Sequence, residues 1–175
     1  MEEESNKKMS ERPELSVILP AYNESHIIEE TLDRVDSAVR QIGLRYEIVV
    51  VDDGSMDDTK RKVANYANNN GHVKVVGYKK NTGKGHAIKT GFQYAKGNTV
   101  IFIDSDLDVD PHVILRYFEA LTQGDIVVGS KWHPQSNVEI PLVRRLLSHA
   151  FNVLTRLLTG VRLRDTQTGL SLIHI

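Results

Sequence analysis

The sequence contains no cysteine, which excludes a disulfide framework and thiolate chemistry. It also lacks a long apolar run: no stretch approaches the ~20 apolar residues that a membrane-spanning helix needs. The formal net charge is -1, which gives no support for a nucleic-acid partner. A chain of 175 residues is long enough to bury one sizeable core. We therefore expect a single soluble or peripheral domain.

The two ends of the chain differ in charge. Residues 1–14 are acidic and polar, resemble no signal peptide and show no periodicity, so we predict a disordered lead-in there. Residues 141–175 carry 5 arginines and a single acidic residue, Asp165. The folded domain is predicted over residues 15–170.

Apolar runs rich in β-branched residues alternate with helical patterns along this domain. Strands are predicted over residues 15–19, 46–51, 73–78, 98–103 and 125–130. Helices are predicted between them, the first capped by Asn23 or Ser25, the second by Asp57 or Asp58. Strands separated by helices predict an α/β fold with a mainly parallel sheet flanked by helices.

The segment from residue 141 to 159 has a different pattern. Leucines and other apolar residues form a helical stripe, and Arg144, Arg145, His149 and Arg156 flank it. A basic amphipathic helix of this kind can lie in a membrane interface with its arginines near lipid phosphates. It can equally pack on the sheet with a solvated face, and the pattern leaves both interpretations open.

Acidic residues follow three of the predicted strands. Glu24 follows the first strand, Asp52 and Asp53 the second, and Asp104 and Asp106 the fourth. The last two, two apart on an extended chain, would point the same way. The carboxyl ends of parallel strands share one edge of a sheet, where α/β folds bind ligands. Because converging carboxylates repel one another unless a cation lies between them, the pattern predicts a Mg²⁺ or Mn²⁺ site with a nucleotide diphosphate as its natural partner.

Each acidic cluster taken alone also fits a simpler role. Residues 52–55 can form a turn with a helix cap, and residues 104–106 can form a simple turn. Phosphatases with an aspartate nucleophile also carry Asp-x-Asp after a strand, but they have Thr soon afterwards, where this chain has Leu107. The Gly83-Lys84-Gly85 turn fits neither of the common phosphate-binding loops. Lys84 remains a candidate for an anion contact at a helix start.

Five motifs taken together resemble glycosyltransferase family 2, and most closely its dolichyl- or polyprenyl-phosphate mannose and glucose synthases. They are Pro20-Ala21-Tyr22-Asn23-Glu24, Val50-Val51-Asp52-Asp53-Gly54-Ser55-x-Asp57, Asn81-x-Gly83-Lys84-Gly85-x-Ala87, Asp104-Ser105-Asp106-Leu107 and Asp165-Thr166-Gln167-Thr168-Gly169. The resemblance covers about residues 15–170 and implies the GT-A fold. It is less specific for the sugar that is transferred, because Asp108 stands where many mannose synthases have Gln.

The resemblance also implies roles for individual residues. It places the nucleotide-sugar on Pro20, Ala21, Tyr22, Glu24, Asp52, Asp53, Lys84, Asp104, Ser105 and Asp106. Asp104 and Asp106 would bind the metal. These two aspartates, Lys131 and Asp165 would be the catalytic residues. Lys131, Arg144 and Arg145 would contact the acceptor phosphate.

The implied reaction is an inverting, metal-dependent transfer of mannose or glucose from GDP-mannose or UDP-glucose to a polyprenyl or dolichyl phosphate. The enzyme would work peripherally at the cytoplasmic face of a membrane. A saccharide hydroxyl is the alternative acceptor, and a catalytically weak nucleotide-sugar-binding domain is a further alternative. Residues 171–175 do not match the family pattern, so we interpret the chain as a C-terminally truncated fragment that ends in a non-native tail.

Overall fold

The computed structural model describes residues 12–121 and 126–128 and the backbone of residues 170–174. All of these except Val128 belong to one compact unit, made of residues 1–127 and 170–175. The second unit comprises residues 128–169 and, apart from Val128, lies outside the described residues.

Strands and helices alternate along the described chain. Their bounds are β1 (Leu15–Ala21), α1 (Ile28–Arg40), β2 (Tyr46–Asp53), α2 (Thr59–Asn69), β3 (Val73–Tyr78), α3 (Lys84–Tyr94), β4 (Thr99–Ile103), α4 (Val113–Ala120), β5 (Ile126–Val128) and β6 (Leu170–His174). The strands predicted from the sequence are all present, although only Ile126–Val128 of the fifth lies within the described residues.

The strands form one sheet in the order β3-β2-β1-β4-β6-β5. β1 pairs in parallel with β2 and β4, and β2 pairs in parallel with β3. β6 is antiparallel to β4. The strand order reverses at β1, because β2 and β3 lie on one side of it and β4 on the other. This confirms the mainly parallel α/β architecture, and it places the expected ligand site at the carboxyl ends of β1, β2 and β4.

The core lies on both faces of the sheet, and successive residues of β1 point to opposite faces. Val17 and Leu19 pack in a cluster with apolar residues of α1, α2 and α4. Ile18 packs in a second cluster with Ala87 of α3. Helix α3 approaches β1 closely at Gly91, where an added Cβ would clash with the Ile18 side chain. Burial on both faces explains why β1 and β2 have continuous apolar sequences rather than alternating ones.

Three predicted boundaries were wrong. Strand β2, predicted over residues 46–51, runs to Asp53. Neither Asn23 nor Ser25 caps α1, whose N-cap position is Ile27 without a side-chain hydrogen bond. Their polar groups bond the loop after β2 instead, as described below. Strand β1 was predicted to stop before Pro20, yet it runs to Ala21. Its pairing with β4 ends at Ile18, so the proline does not interrupt that ladder.

Strand β6 was not predicted from the sequence. Its residues pair antiparallel with all of β4, from Leu170 beside Ile103 to His174 beside Thr99. A short apolar run far along the chain from its partner gives no local signal of pairing. The sheet therefore contains an antiparallel strand between β4 and β5.

Candidate active site

A pocket of about 360 Å³ lies at the carboxyl edge of the sheet. Its walls come from the ends of β1 and β2, from the loops that follow β1 and β4, and from the turn that leads into α3. The lining residues are Pro20, Ala21, Tyr22, Glu24, Asp53, Asn81, Gly83, Lys84, Asp104, Ser105 and Asp106. The pocket with its polar lining therefore lies at the carboxyl end of β1, the strand at which the strand order reverses.

The loops after β1 and β2 are joined by hydrogen bonds from backbone amides to side chains. The Asn23 and Glu24 amides donate to Ser55 Oγ and Thr59 Oγ1, at 3.0 and 2.8 Å. In return, Asn23 Oδ1 accepts a hydrogen bond from the Met56 amide at 2.9 Å. These contacts are possible because Asn23 has a left-handed backbone with φ of 57°, a conformation that Asn tolerates. The exchange of bonds fixes the pocket wall that carries Tyr22 and Glu24.

The two aspartates that end β2 have different environments. Asp53 lines the pocket, and its carboxylate accepts hydrogen bonds from the Thr82 and Gly83 amides, both at 2.9 Å. Burial tends to raise the pKa of Asp53. The neighbouring Tyr78 hydroxyl and the Thr82 and Gly83 donors together have a larger, opposite effect, so the net pKa of Asp53 lies below its usual value. Asp53 therefore holds the turn before α3 in place as an anion. Asp52 is 2% exposed and does not line the pocket.

Lys84 is the first residue of α3 and faces the turn after β4. Its ammonium lies 2.6 Å from Asp104 Oδ1 and 2.8 Å from Oδ2. Burial raises the pKa of Asp104, and the contact with Lys84 opposes that rise. The charges of Asp106 and Asp108 raise the pKa further, so the net pKa of Asp104 lies above its usual value. Asp104 is thus a partly buried carboxylate, and the contact with Lys84 does not fully offset the effect of its burial on the pKa.

Asp106 lies in the turn after β4 rather than on an extended strand, which corrects the extended geometry predicted for Asp104 and Asp106. It is exposed, and its Oδ1 accepts a hydrogen bond from the Asp108 amide at 3.0 Å. Between the two aspartates, the buried Ser105 donates from Oγ to the Pro20 carbonyl at 2.8 Å. Ser105 therefore ties the turn to β1, while the aspartates on either side of it line the pocket.

Glu24 completes the acidic lining. Burial raises the pKa of Glu24; nearby His26 opposes this, and the charges of Asp106, Asp57 and Asp104 raise the pKa further. The pocket is lined by four carboxylates and one ammonium, that of Lys84. A site with this excess of negative charge favours the binding of a cation.

The donor set fits a hard divalent cation. No group of three or more His, Asp or Glu side chains suited to a metal is found in the part of the chain that the structure describes. Mg²⁺ and Mn²⁺ need fewer protein ligands than such a group supplies. One or two carboxylates are enough, because water and substrate phosphates complete the coordination. Asp104 and Asp106 provide two such carboxylates, and the Lys84 ammonium already takes the place of a cation at Asp104.

The remaining predicted site residues cannot be placed. Lys131, Arg144, Arg145 and Asp165 lie outside the described residues, as does the predicted amphipathic helix over residues 141–159.

Several residues around the pocket have structural roles that the sequence patterns did not predict. Asn81 and Gly83 line it, although only Lys84 of their motif was singled out. Ser55, Asp57 and Thr59 hold the loop after β1. The signal was present as a Ser-x-Asp-x-Thr spacing. Ser55 and Asp57 were placed in a family motif and Asp57 was also interpreted as a possible cap of α2, but Thr59 was given no role.

The carboxylate of Asp57 offers a test of this loop junction. It accepts hydrogen bonds from the Ser25 and Thr59 amides at 3.1 and 3.0 Å. Burial tends to raise the pKa of Asp57, but these donors and the Thr59 hydroxyl lower it strongly. A lowered folded-state pKa stabilises the protein above the unfolded-state pKa, and this stabilisation is lost as the pH falls through the folded-state pKa. Asp57→Ala should lower the free energy of unfolding at pH 7 by about 1–2 kcal/mol.

The difference between wild type and Asp57→Ala should shrink when urea unfolding is repeated at low pH. Asp58→Ala is the matched control, because Asp58 occupies the N-cap position of α2 without a side-chain capping bond. Among the described residues, its ion pair is with exposed Arg61. Equal losses in the two variants would contradict a specific role for Asp57.

Comparison with known proteins agrees with this architecture. The family model described as glycosyl transferase family 2 matches residues 16–174. A dolichol-phosphate mannosyltransferase of Pyrococcus furiosus is 41% identical over 136 residues, which cover 77% of this chain and 38% of that protein. An undecaprenyl-phosphate 4-deoxy-4-formamido-L-arabinose transferase of Pectobacterium carotovorum is 37% identical over 152 residues, covering 86% of this chain and 46% of that protein. The chain thus spans less than half the length of these relatives.

Solved structures show the same fold. A mannosyltransferase from Pyrobaculum calidifontis in complex with GDP-Man and Mn²⁺ matches with a TM-score of 0.64 and 24% identity, over 93% of this chain and 45% of that one. A glucosyl-3-phosphoglycerate synthase from Mycobacterium tuberculosis, in complex with Mn²⁺, UDP and phosphoglyceric acid, matches with a TM-score of 0.67 and 23% identity, over 99% of this chain and 60% of that one. The fold is GT-A, and the chain belongs to glycosyltransferase family 2.

Proposed function

We propose that this chain is the catalytic domain of an inverting glycosyltransferase that moves mannose or glucose from a nucleotide-sugar to a polyprenyl or dolichyl phosphate. The observation that carries the proposal is the acidic pocket at the carboxyl edge, where Asp104 and Asp106 meet Lys84 and the loop after β1. Relatives named for polyprenyl-phosphate acceptors and a fold neighbour bound to GDP-Man and Mn²⁺ support it.

The donor would be held in two parts. Pro20, Ala21 and Tyr22 form the wall suited to the base and ribose, with Glu24 and the β2 aspartates nearby. The diphosphate would lie between Lys84 and the turn of Asp104 and Asp106. A Mg²⁺ or Mn²⁺ ion bound there would neutralise charge on the departing nucleoside diphosphate. The protein's own contribution is to fix these groups through Asp53 and Ser105 before the donor arrives.

The acceptor chemistry follows from the ionisation of a phosphate. An acceptor oxygen attacks the anomeric carbon from the side opposite the diphosphate, which inverts the configuration. A lipid monophosphate, with a second pKa of roughly 6, is largely ionised at neutral pH and needs no strong general base. Lys131, Arg144 and Arg145 are the cations that we assign to this phosphate. A saccharide hydroxyl would need a base, and Asp165 is the candidate for that role.

We further propose that the enzyme acts peripherally at the cytoplasmic face of a membrane. In the described residues, no helix is both long and apolar enough to cross a bilayer. Replacing Arg144 and Arg145 with Gln should reduce binding to anionic liposomes by about 30-fold, since each basic residue near such a surface contributes about 1 kcal/mol. Sedimentation with vesicles measures the bound fraction of each protein. Added salt should reduce the difference in binding between wild type and the double variant. Lys89→Gln with Lys96→Gln is the charge-matched control, and equal binding by both double variants would contradict the assignment.

Calorimetric titration tests the donor directly. GDP-mannose and UDP-glucose are each titrated into the chain with Mn²⁺ and then with a chelator. We expect Mn²⁺-dependent binding of one donor, which would also identify the sugar. Failure of both donors to bind a chain that circular dichroism shows to be folded would overturn the proposal.

A further inference from the structure

The contact between Lys84 and Asp104 uses both carboxylate oxygens of Asp104. The ammonium lies 2.6 Å from Oδ1 and 2.8 Å from Oδ2, and the Asp104 side chain is 23% exposed. A divalent cation at Asp104 would need at least one of these oxygens, and the ammonium already contacts both of them. The two cations therefore compete for one carboxylate.

The backbone of Lys84 is anchored, but its side chain is free to move. Asp53 accepts hydrogen bonds from the Thr82 and Gly83 amides, and α3 begins at Lys84 itself. The Lys84 side chain is 50% exposed and has a flexible four-carbon stem. Its ammonium can thus leave Asp104 by rotation of the side chain alone, toward the part of the pocket lined by Asn81 and Gly83.

We propose that Lys84 is the resident counter-ion of Asp104, and that a divalent cation enters fully only together with a diphosphate that takes over the Lys84 ammonium. This inference rests on the proposed function, because it assigns the diphosphate and the metal to the same pocket. The diphosphate supplies the negative charge that draws Lys84 away, and the cation then replaces Lys84 at Asp104. A cation and a diphosphate that enter together change the net charge of the acidic pocket little, whereas either alone changes it strongly.

The competition predicts the effect of removing the ammonium. In Lys84→Gln, Asp104 loses its counter-ion, so Mn²⁺ alone should bind at least about 5-fold more tightly than to wild type, the lower end of the usual coupling range. Lys84→Arg keeps the charge and should leave Mn²⁺ binding weak. Lys89→Gln is the matched control, since Lys89 is exposed on the same helix and does not line the pocket. The loss of free Mn²⁺ signal in electron paramagnetic resonance measures binding without any need for activity.

The second measurement is the coupling between metal and nucleotide. GDP and UDP are titrated with Mn²⁺ and with a chelator, after correction for Mn²⁺–nucleotide complexes formed without protein. Wild type should show cooperative binding of metal and nucleotide, and Lys84→Gln should show a smaller coupling factor. Unchanged or weaker binding of Mn²⁺ alone to Lys84→Gln would overturn the inference. Absence of nucleotide binding to wild type would instead contradict the proposed function, while the comparison of Mn²⁺ alone would still decide the role of Lys84.

Discussion

Replacing Asp106 with alanine is expected to weaken Mn²⁺-dependent donor binding by on the order of 100-fold while the fold stays intact, since a bound metal contributes several kcal/mol of charge stabilisation. Asp106 is exposed, and within the part of the chain that the structure describes its Oδ1 bonds only a local amide, so it supplies a carboxylate to the pocket rather than support to the core. Calorimetry with each donor, with Mn²⁺ and with chelator, measures the loss.

The same substitution should not destabilise the protein. Burial is the main cause of the raised pKa of Glu24 and of Asp104, and the Asp106 charge raises both further. Removing that charge relieves repulsion, so the melting temperature should stay constant or rise slightly at neutral pH. Asp110→Ala is the matched control, because it makes the same charge change a short distance along the chain, outside the pocket lining. Equal donor binding by Asp106→Ala and Asp110→Ala would remove Asp106 from the metal site.

Gly54→Ala is expected to destabilise the protein by about 3 kcal/mol, because it combines a strained backbone with a clash. Gly54 has φ of +71°, and a Cβ there would lie 2.7 Å from the Asn81 amide nitrogen and from the Lys80 carbonyl carbon. Both contacts are backbone atoms and cannot rotate away. The loop that carries Asn81 toward the pocket must therefore shift, so donor affinity should fall together with stability.

Gly43→Ala separates the two contributions. Gly43 has nearly the same φ, +77°, and an added Cβ would meet no atom of the described residues within 4 Å. It should cost only the left-handed strain, about 1 kcal/mol. Urea unfolding of both variants gives the comparison, and donor titration should show a loss only for Gly54→Ala. Equal destabilisation would mean that the close approach to Lys80 and Asn81 is relieved without cost.

Sequence patterns predicted the parallel part of the fold because that information is local. Val49, Val50 and Val51 form part of a run buried on both faces, and such runs separated by amphipathic helices leave few arrangements open. β6 was not predicted, because its partner β4 lies far away in the chain. The cap of α1 was predicted wrongly for a related reason: Asn23 and Ser25 are typical capping residues, yet their polar groups bond a loop more than 30 residues away.

In the candidate site, too, features that depend on nearby residues were predicted, whereas contacts between distant residues were not. The acidic strand ends predicted which loops would meet, since parallel strands bring their carboxyl ends to one edge. The pairing of Lys84 with Asp104 could not be predicted, because it depends on where α3 starts relative to the turn after β4. The sequence likewise could not show that Asp53 holds the turn before α3 while Asp52 stays outside the pocket lining.

The antiparallel strand β6 also has a practical consequence for handling the protein. It covers the backbone of β4 from Thr99 to Ile103 on the side away from β1. A shortened form that ended before Leu170 would present the unpaired N–H and C=O groups of an apolar strand to solvent, which is a template for aggregation. Purification tags are therefore better placed at the amino terminus, and carboxyl-terminal trimming should spare residues 170–174.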